Sequence, residues 1–386
     1  YNLLMGSVPM LSCCTALDIT KPRESPELMR AFTFVYHYHA RIVATFSVSS
    51  LSQGSVVRDA LDRPLRDLRL SVIDRCNFRC RYCMPRGVFG PDYPYLAREE
   101  ILSFEELNRL VTSIIPLGVE KIRLTGGEPL LRRDFPKLVE ILATHGVELA
   151  VTTNGVLLEK QAEALAAAGL DRVTVSLDAL DDETFQLMTD TDAKVSDVIA
   201  GIDAAIGVGL GPVKINTVVR KGVNEHAVLQ LFNHFRGSGV TVRFIEYMDV
   251  GVSNKWRRDE VVTGSEILEM LRTEHDLEPI VPENTSQVAK LWQTPEGDKV
   301  GIITSISEPF CGDCTRGRIS SEGRFYTCLF SDSGFDFKPE LRSGAGVDEL
   351  QELTRSVWLG RFDRYSELRG EGNSIHLPVE MSHIGG

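Results

Sequence analysis

Cys76-Asn77-Phe78-Arg79-Cys80-Arg81-Tyr82-Cys83 is the stretch on which the reading of the chain turns. Its C-x3-C-x2-C spacing lets one loop set three thiolates around one face of a single inorganic centre. A four-iron cluster that only carries electrons takes four cysteines, so three leave one iron with an open coordination position where a substrate or cofactor can bind. The competing reading is a structural zinc that borrows a distant fourth ligand, but zinc motifs show paired C-x2-C or Cys/His spacings that this loop lacks.

Immediately upstream, Leu68, Leu70, Val72 and Ile73 form a short apolar run, as a buried strand feeding a loop would. Working outward, strand-like segments recur at 121–124, 147–151, 172–177, 213–218 and 242–245. Between them 104–115, 135–143, 157–168, 195–206 and 227–235 carry apolar residues at three- and four-residue steps, the pattern of helices with one buried face. This alternation predicts an α/β fold with a parallel sheet. Six strands fall short of the eight of a closed barrel, so an incomplete barrel and a doubly wound sheet compete. Both gather ligands at the carboxyl ends of the strands. There lie Cys76, the turn Thr125-Gly126-Gly127-Glu128-Pro129, Thr152 and Asn154, and Ser176 and Asp178.

Beyond Met248 the rhythm fades into a helix near 265–274 and strand-like pieces at 288–292 and 300–305. A second thiol group follows, Cys311-Gly312-Asp313-Cys314 with Cys328, spaced C-x2-C-x13-C. His376 or His383 are candidates for its fourth ligand; without either, a second iron stands open. Thr315-Arg316-Gly317-Arg318 follows directly, and residues two apart on a strand share a face. Paired guanidinium forks suit phosphate oxygens, against the alternative of a solvated surface pair. No G-x-x-x-x-G-K-S/T phosphate loop occurs, so side chains must hold any nucleotide. An amphipathic helix at 347–359 precedes a tail that ends in Gly385 and Gly386.

Composition bounds the rest. The 386 residues, 43% hydrophobic and 25% charged, describe an ordinary globular chain, with a length suited to one large domain plus an appendage or to two domains. Lys and Arg number 42 against 54 Asp and Glu, a net charge of −12 that argues against broad nucleic-acid binding. No run of about 18 uncharged apolar residues predicts a membrane span. Six of the eight cysteines fall in two groups of three, which cannot close internally as disulfides. Clustered thiols without a secretory signal point to metal ligation in a reducing compartment. Residues 1–60, which include Cys13 and Cys14, read as an extension without a motif. Asp18, Glu24 and Glu27 there disfavour a mitochondrial presequence, and Asn284-Thr285-Ser286 matches a glycosylation pattern expected to stay unmodified.

The first thiol loop, with Tyr82 before its third cysteine, resembles the radical S-adenosylmethionine (SAM) superfamily. That resemblance implies an incomplete (β/α)6 barrel and a 4Fe-4S cluster whose open iron chelates SAM. From about Asp62 to Gly386 the chain resembles, within it, the GTP 3′,8-cyclase (MoaA) family of molybdenum cofactor biosynthesis. The segments 63–71, 125–129, 152–155, 175–179 and 243–249, the second thiol group and the closing Gly-Gly carry the likeness. It implies a lyase with a radical SAM core at 61–278 and, at 279–386, an extension that binds a second cluster and GTP. Cys76, Cys80 and Cys83 are then the ligands of the SAM cluster, with Tyr82, Gly127, Ser176 and Met248 around SAM. Cys311, Cys314 and Cys328 hold a second 4Fe-4S cluster whose open iron meets the guanine. Arg69, Arg123, Thr152, Lys214, Arg316, Gly317 and Arg318 contact GTP, with Arg316 and Arg318 serving catalysis, and the Gly-Gly tail reaches into the site.

The family's reaction forms (8S)-3′,8-cyclo-7,8-dihydroguanosine 5′-triphosphate. Its partners are a one-electron reductant such as a flavodoxin or ferredoxin, a downstream cyclic pyranopterin monophosphate synthase and a second copy of the chain, in the cytoplasm or, in a eukaryote, the mitochondrial matrix. A radical SAM maturase acting on a peptide or other substrate through an auxiliary cluster is the alternative enzyme, and an iron-sulfur electron carrier or zinc-stabilised binding module the non-catalytic one.

Overall fold

The computed structural model describes residues 56–281, 288–369 and 378–385. The extension up to residue 55 with Cys13 and Cys14, the segment Asn284-Thr285-Ser286, His376 and Gly386 lie outside the described residues. From Gly54 onward the chain forms one compact unit. Packing begins ahead of residue 61: Val57 is buried and its amide donates to the Leu117 carbonyl at 2.9 Å.

Six parallel strands form the framework: β1 (Asp67–Ser71), β2 (Lys121–Thr125), β3 (Glu148–Thr153), β4 (Arg172–Ser176), β5 (Lys214–Val219) and β6 (Thr241–Glu246). They lie side by side in chain order. A doubly wound sheet reverses its strand order at a switch point; here there is no reversal. The competition left open by the sequence is thereby decided for an incomplete barrel.

Helices follow the strands: α1 (Phe104–Ile114), α2 (Phe135–Ala143), α3 (Ala162–Ala167), α4 (Asp182–Thr189), α5 (Val195–Gly207), α6 (Ala227–Phe235) and α7 (Gly264–Arg272). The Ser103 hydroxyl accepts from the Glu106 amide and the Glu106 carboxylate from the Ser103 amide, a reciprocal cap that starts α1. Leu107, Leu110, Val111 and Ile114 then face the core. Helix α3 is shorter than the predicted 157–168 because the chain first makes two tight turns, Leu158 N to Gly155 O and Gln161 N to Leu158 O, each at 3.0 Å. Between β4 and β5 there are two helices rather than one. The additional α4 is started by Asp181, whose carboxylate accepts from the Thr184 amide at 2.7 Å.

The C-terminal strands are β7 (Glu278–Ile280), β8 (Lys290–Gln293), β9 (Lys299–Ile303), β10 (Arg316–Ile319), β11 (Arg324–Tyr326) and β12 (Phe335–Asp336). They complete one 12-stranded sheet by covering both edges of the barrel. Strand β9 adds parallel to β6 and β10 parallel to β1, each followed outward by antiparallel partners. Neither edge of the six-stranded set is left with unpaired backbone. Four helices complete the chain: α8 (Lys338–Ser343), α9 (Val347–Leu359), α10 (Tyr365–Leu368) and α11 (Met381–Ile384). Among the described residues no helix is long and apolar enough to cross a membrane.

Candidate active site

A cavity of about 750 Å³ runs through the barrel, and both thiol triads line it. The first triad leaves the carboxyl end of β1. Its loop interlocks with the turn after β2: the Gly127 amide donates to the Ile73 carbonyl and the Glu128 amide to the Arg75 carbonyl, both at 2.8 Å. A Cβ on Gly127 would stand 2.2 Å from the Arg75 carbonyl oxygen, so only glycine permits this approach. Helix α4 grips the same loop through its last carbonyls, Thr189 accepting from the Arg79 amide and Met188 from the Arg81 amide at 3.0 Å. From within, the Arg79 guanidinium donates to the carbonyls of Cys76, Phe78 and Phe89.

Burial dominates the acid–base chemistry here. It pushes the Cys76 thiol up to about 12, and it raises Cys80 and Cys83 as well. Thiolates crowded into such a place need a positive centre to stabilise them, which an iron cluster supplies. The Tyr82 hydroxyl donates to Asp178 at 2.8 Å. Burial lifts the Asp178 carboxyl to about 6 against that bond and the Val218 amide. Glu128 is lifted by burial to about 7, although it accepts from the Asn154 and Leu130 amides and the Thr153 hydroxyl. Gly127, Ser176 and Met248 line the same end of the cavity.

The second triad sits at the opposite end. Cys314 directly precedes the β10 segment, and the Arg66 and Asp67 amides at the start of β1 both donate to the Thr315 carbonyl at 3.1 Å. Since β10 runs parallel to β1, the five residues of β1 separate the two triads, roughly 17 Å at strand rise. Burial opposes the Cys314 thiolate, but the Arg316 and Arg361 guanidiniums outweigh it and bring the thiol down to about 6. Arg316 Nη2 stands 3.3 Å from the Cys314 sulfur. All six cysteines are free thiols. Among the described residues no group of three or more His, Cys, Asp or Glu side chains is placed to hold a metal ion. His383, one candidate for a fourth ligand, instead pairs with Glu322 at 3.3 Å, packs edge-on to Tyr326 and lines a separate small cavity.

Between the triads the wall is basic. Arg318, Arg69 and Arg123 are direct cross-strand neighbours on β10, β1 and β2. Like charges placed opposite one another destabilise a sheet unless an anion joins them. Burial, then Arg318, Arg316 and Arg123, hold the Arg69 guanidinium well below its ordinary value. Burial and Arg316 bring Arg318 to about 10. Lys214 falls to about 7 through burial and the charges of Arg243, Arg172, Arg123 and Lys121. Arg123 donates to the Thr152 and Thr174 hydroxyls at 3.1 Å, so Thr152 orients this guanidinium.

Gly317 is not among the residues lining the cavity, and strand alternation puts the place a Cβ would take against Phe325 and Leu65. Lys121, Arg172 and Arg243 do line it and were missed. Arg243 is brought to about 9 by burial, then Arg123 and Arg172, and its Nε is buried without a partner. The overlooked signal was a basic residue recurring at inward positions of successive strands.

The C-terminal segment enters the same space. Arg318 donates to the Gly385 carbonyl, and Gly385 adopts φ +75° with its Cα so close to Thr125 that a Cβ would lie 2.2 Å from Cγ2. Glu380 ties this segment to the loop after β6 by accepting from the Val252 and Ser253 amides and the Ser253 hydroxyl.

Residues 70–235 match the radical SAM superfamily, and residues 240–367 match Molybdenum Cofactor Synthesis C. The GTP 3′,8-cyclase of Acidothermus cellulolyticus is 47% identical over 360 residues, spanning 86% of this chain and 99% of that one. The chain belongs to the GTP 3′,8-cyclase family. A second member of that family, from Staphylococcus epidermidis, is 46% identical over 338 residues, with 86% and 99% covered. Streptococcus suis SuiB bound to S-adenosylmethionine has the same fold as this GTP 3′,8-cyclase family chain, with a TM-score of 0.57 at 14% identity and coverage of 92% and 89%. Membership of the radical SAM superfamily implies a 4Fe-4S cluster and SAM.

Proposed function

We propose that this chain converts GTP to (8S)-3′,8-cyclo-7,8-dihydroguanosine 5′-triphosphate in molybdenum cofactor biosynthesis. The observation that carries this reading is the row of inward guanidiniums held between two thiol triads at opposite ends of one cavity. Cys76, Cys80 and Cys83 would hold one 4Fe-4S cluster, and Cys311, Cys314 and Cys328 a second; when bound, the first would supply one-electron reduction chemistry to SAM.

The residues themselves bind, orient and exclude. Gly127, Ser176, Met248 and the Tyr82–Asp178 pair shape the SAM end. Arg69, Arg123, Lys214 and the missed Lys121, Arg172 and Arg243 take the triphosphate, because a tetra-anion relieves the repulsion among them. Arg316 and Arg318 lie level with Lys121 and with Arg69 and Arg123 on the same wall, Arg316 beside the Cys314 sulfur, where they would orient the nucleotide between the two triads. The seated tail closes the side of the cavity near Thr125, keeping a carbon radical beside its intended hydrogen. The two clusters require a reducing compartment such as the cytoplasm, and a flavodoxin or ferredoxin as donor. The product passes to a pterin-forming synthase, and the working unit is a homodimer. A maturase acting on a neutral peptide gives no reason for a wall of buried cations.

The test is anaerobic: reconstitute, reduce, add SAM, and quantify 5′-deoxyadenosine with GTP, without GTP, and with GTP deuterated at the ribose 3′ carbon. GTP-dependent release with deuterium in the 5′-deoxyadenosine is expected. Release that ignores GTP overturns the assignment.

A further inference from the structure

A buried ion network lies behind the second thiol triad. The Asp59 carboxylate is fully buried, and its Oδ2 accepts from Arg63 Nε at 2.6 Å and from Arg361 Nη1 at 2.9 Å. Its Oδ1 accepts from the Leu61 and Arg63 amides, both at 2.9 Å. The side chains of the two arginines are at most 2% exposed. Arg361 lies over the Trp358 ring at 4.5 Å, and the Trp358 indole donates to the Arg63 carbonyl.

The remaining donors of the two arginines go to the backbone of the thiol segments and to Asp363, whose carboxylate lies 3.6 Å from Arg361 Nε. Arg63 Nη1 donates to the Cys311 carbonyl at 2.8 Å and to the Asp363 carbonyl at 2.8 Å. Arg361 Nη1 donates to the Cys314 carbonyl at 2.7 Å, and its Nε to the carbonyl of Thr327, the residue before Cys328, at 3.0 Å. Each of the three cysteines is thus held through its own carbonyl or that of its neighbour. Arg63 Nη2 is buried and without a partner, and Arg63 lines the cavity. A buried ion pair is a poor source of stability, since apolar residues in its place do as well. Its worth lies in fixing one arrangement of what it touches.

We propose that Asp59, Arg63 and Arg361 are positioning residues that set Cys311, Cys314 and Cys328 in ligand register before the second cluster assembles. This rests on the reading that these cysteines hold such a cluster.

The experiment uses the full chain, reconstituted anaerobically, as wild type and as Arg361→Met, Arg361→Lys, Asp59→Asn and Cys328→Ser. Iron and sulfide per chain, the electron paramagnetic resonance signals of the reduced protein with and without SAM or GTP, and iron loss to a chelator are measured. Wild type showing two signals and Cys328→Ser showing only the SAM-sensitive one establish the second cluster. Arg361→Met and Asp59→Asn are then expected to keep the SAM-sensitive signal and to lose second-cluster iron about ten-fold or more faster, with an altered line shape. Arg361→Lys recovers part of this, because one ammonium cannot span both carbonyls. If Arg361→Met does not fold, as judged by circular dichroism, the other two variants carry the comparison. A folded Arg361→Met or Asp59→Asn with wild-type second-cluster retention and line shape overturns the proposal, as does equal loss of both signals. A single signal in wild type, unaffected by Cys328→Ser, removes the two-cluster reading itself, and the clamp falls with it.

Discussion

At the scale of residues, the site is a problem of charge. Arg318 is buried, its like-charged neighbour Arg69 is paired across from it, and it donates to the Gly385 carbonyl. Replacing it by alanine removes charge-assisted bonds to an anion, each worth about 1.5–3 kcal/mol. Arg318→Ala is expected to weaken GTP binding roughly 10- to 100-fold by calorimetry while both clusters assemble; unchanged affinity takes Arg318 out of the site. Lys214 supplies a pH test. Its ammonium is lowered to about 7, chiefly by burial and then by Arg243, so above that pH the free protein carries it neutral. A triphosphate restores the proton, so GTP binding at pH 8 takes up protons and affinity falls as pH rises from 7 towards the bound value. Calorimetry in buffers of different ionisation enthalpy reads the uptake, and Lys214→Met abolishes it. The triads and the Arg316/Arg318 pair were legible in the sequence because local spacing carries their chemistry. Arg172 and Arg243 were not, because each is one basic residue in an apolar strand and acquires meaning only when the sheet curls.

At the scale of elements, two loops and a helix end make the SAM end rigid. Gly127→Ala pushes a methyl group into the Arg75 backbone, and an atom of the cluster loop rather than a flexible side chain must give way. A loss of about 1–3 kcal/mol in stability is expected, together with slower SAM cleavage, read by thermal melting and by 5′-deoxyadenosine release. A melt and a rate equal to wild type contradict the interlock. Helices α2, α6 and α9 fall where the apolar periodicity puts them, since each buries a continuous apolar face, α2 and α6 partly against β3 and β6 and α9 against α1. Strands β7, β11 and β12 escape because two or three residues show no period, and their existence depends on an edge supplied by distant residues. Helix α4 escapes because eight residues with an acidic start read as a loop until Phe185 and Met188 find the core.

At the scale of the molecule, the sheet does not divide where the chemistry does. Residues 279–386 read as an extension, and yet β9 and β10 complete the two edges of the barrel that precedes them. A chain ending at residue 278 leaves the outer edges of β1 and β6 unpaired, an invitation to edge-to-edge association. It is expected to aggregate or to lack a cooperative melt. A monomeric, cooperatively folding product would show that the core stands alone and would restore the division at 278.

The strand that carries Arg316 and Arg318 has a further consequence for how the protein is made. It is among the last parts to leave the ribosome, and its place is beside the first strand of the sheet, whose Asp67 it meets through Thr315 across 248 residues of chain. A nascent polypeptide therefore carries Cys76, Cys80 and Cys83, and Arg69 and Arg123 beside them, long before it owns Arg316 and Arg318. Translation order alone leaves the basic wall of the cavity incomplete, and the first strand's outer edge uncovered, until synthesis has passed residue 319.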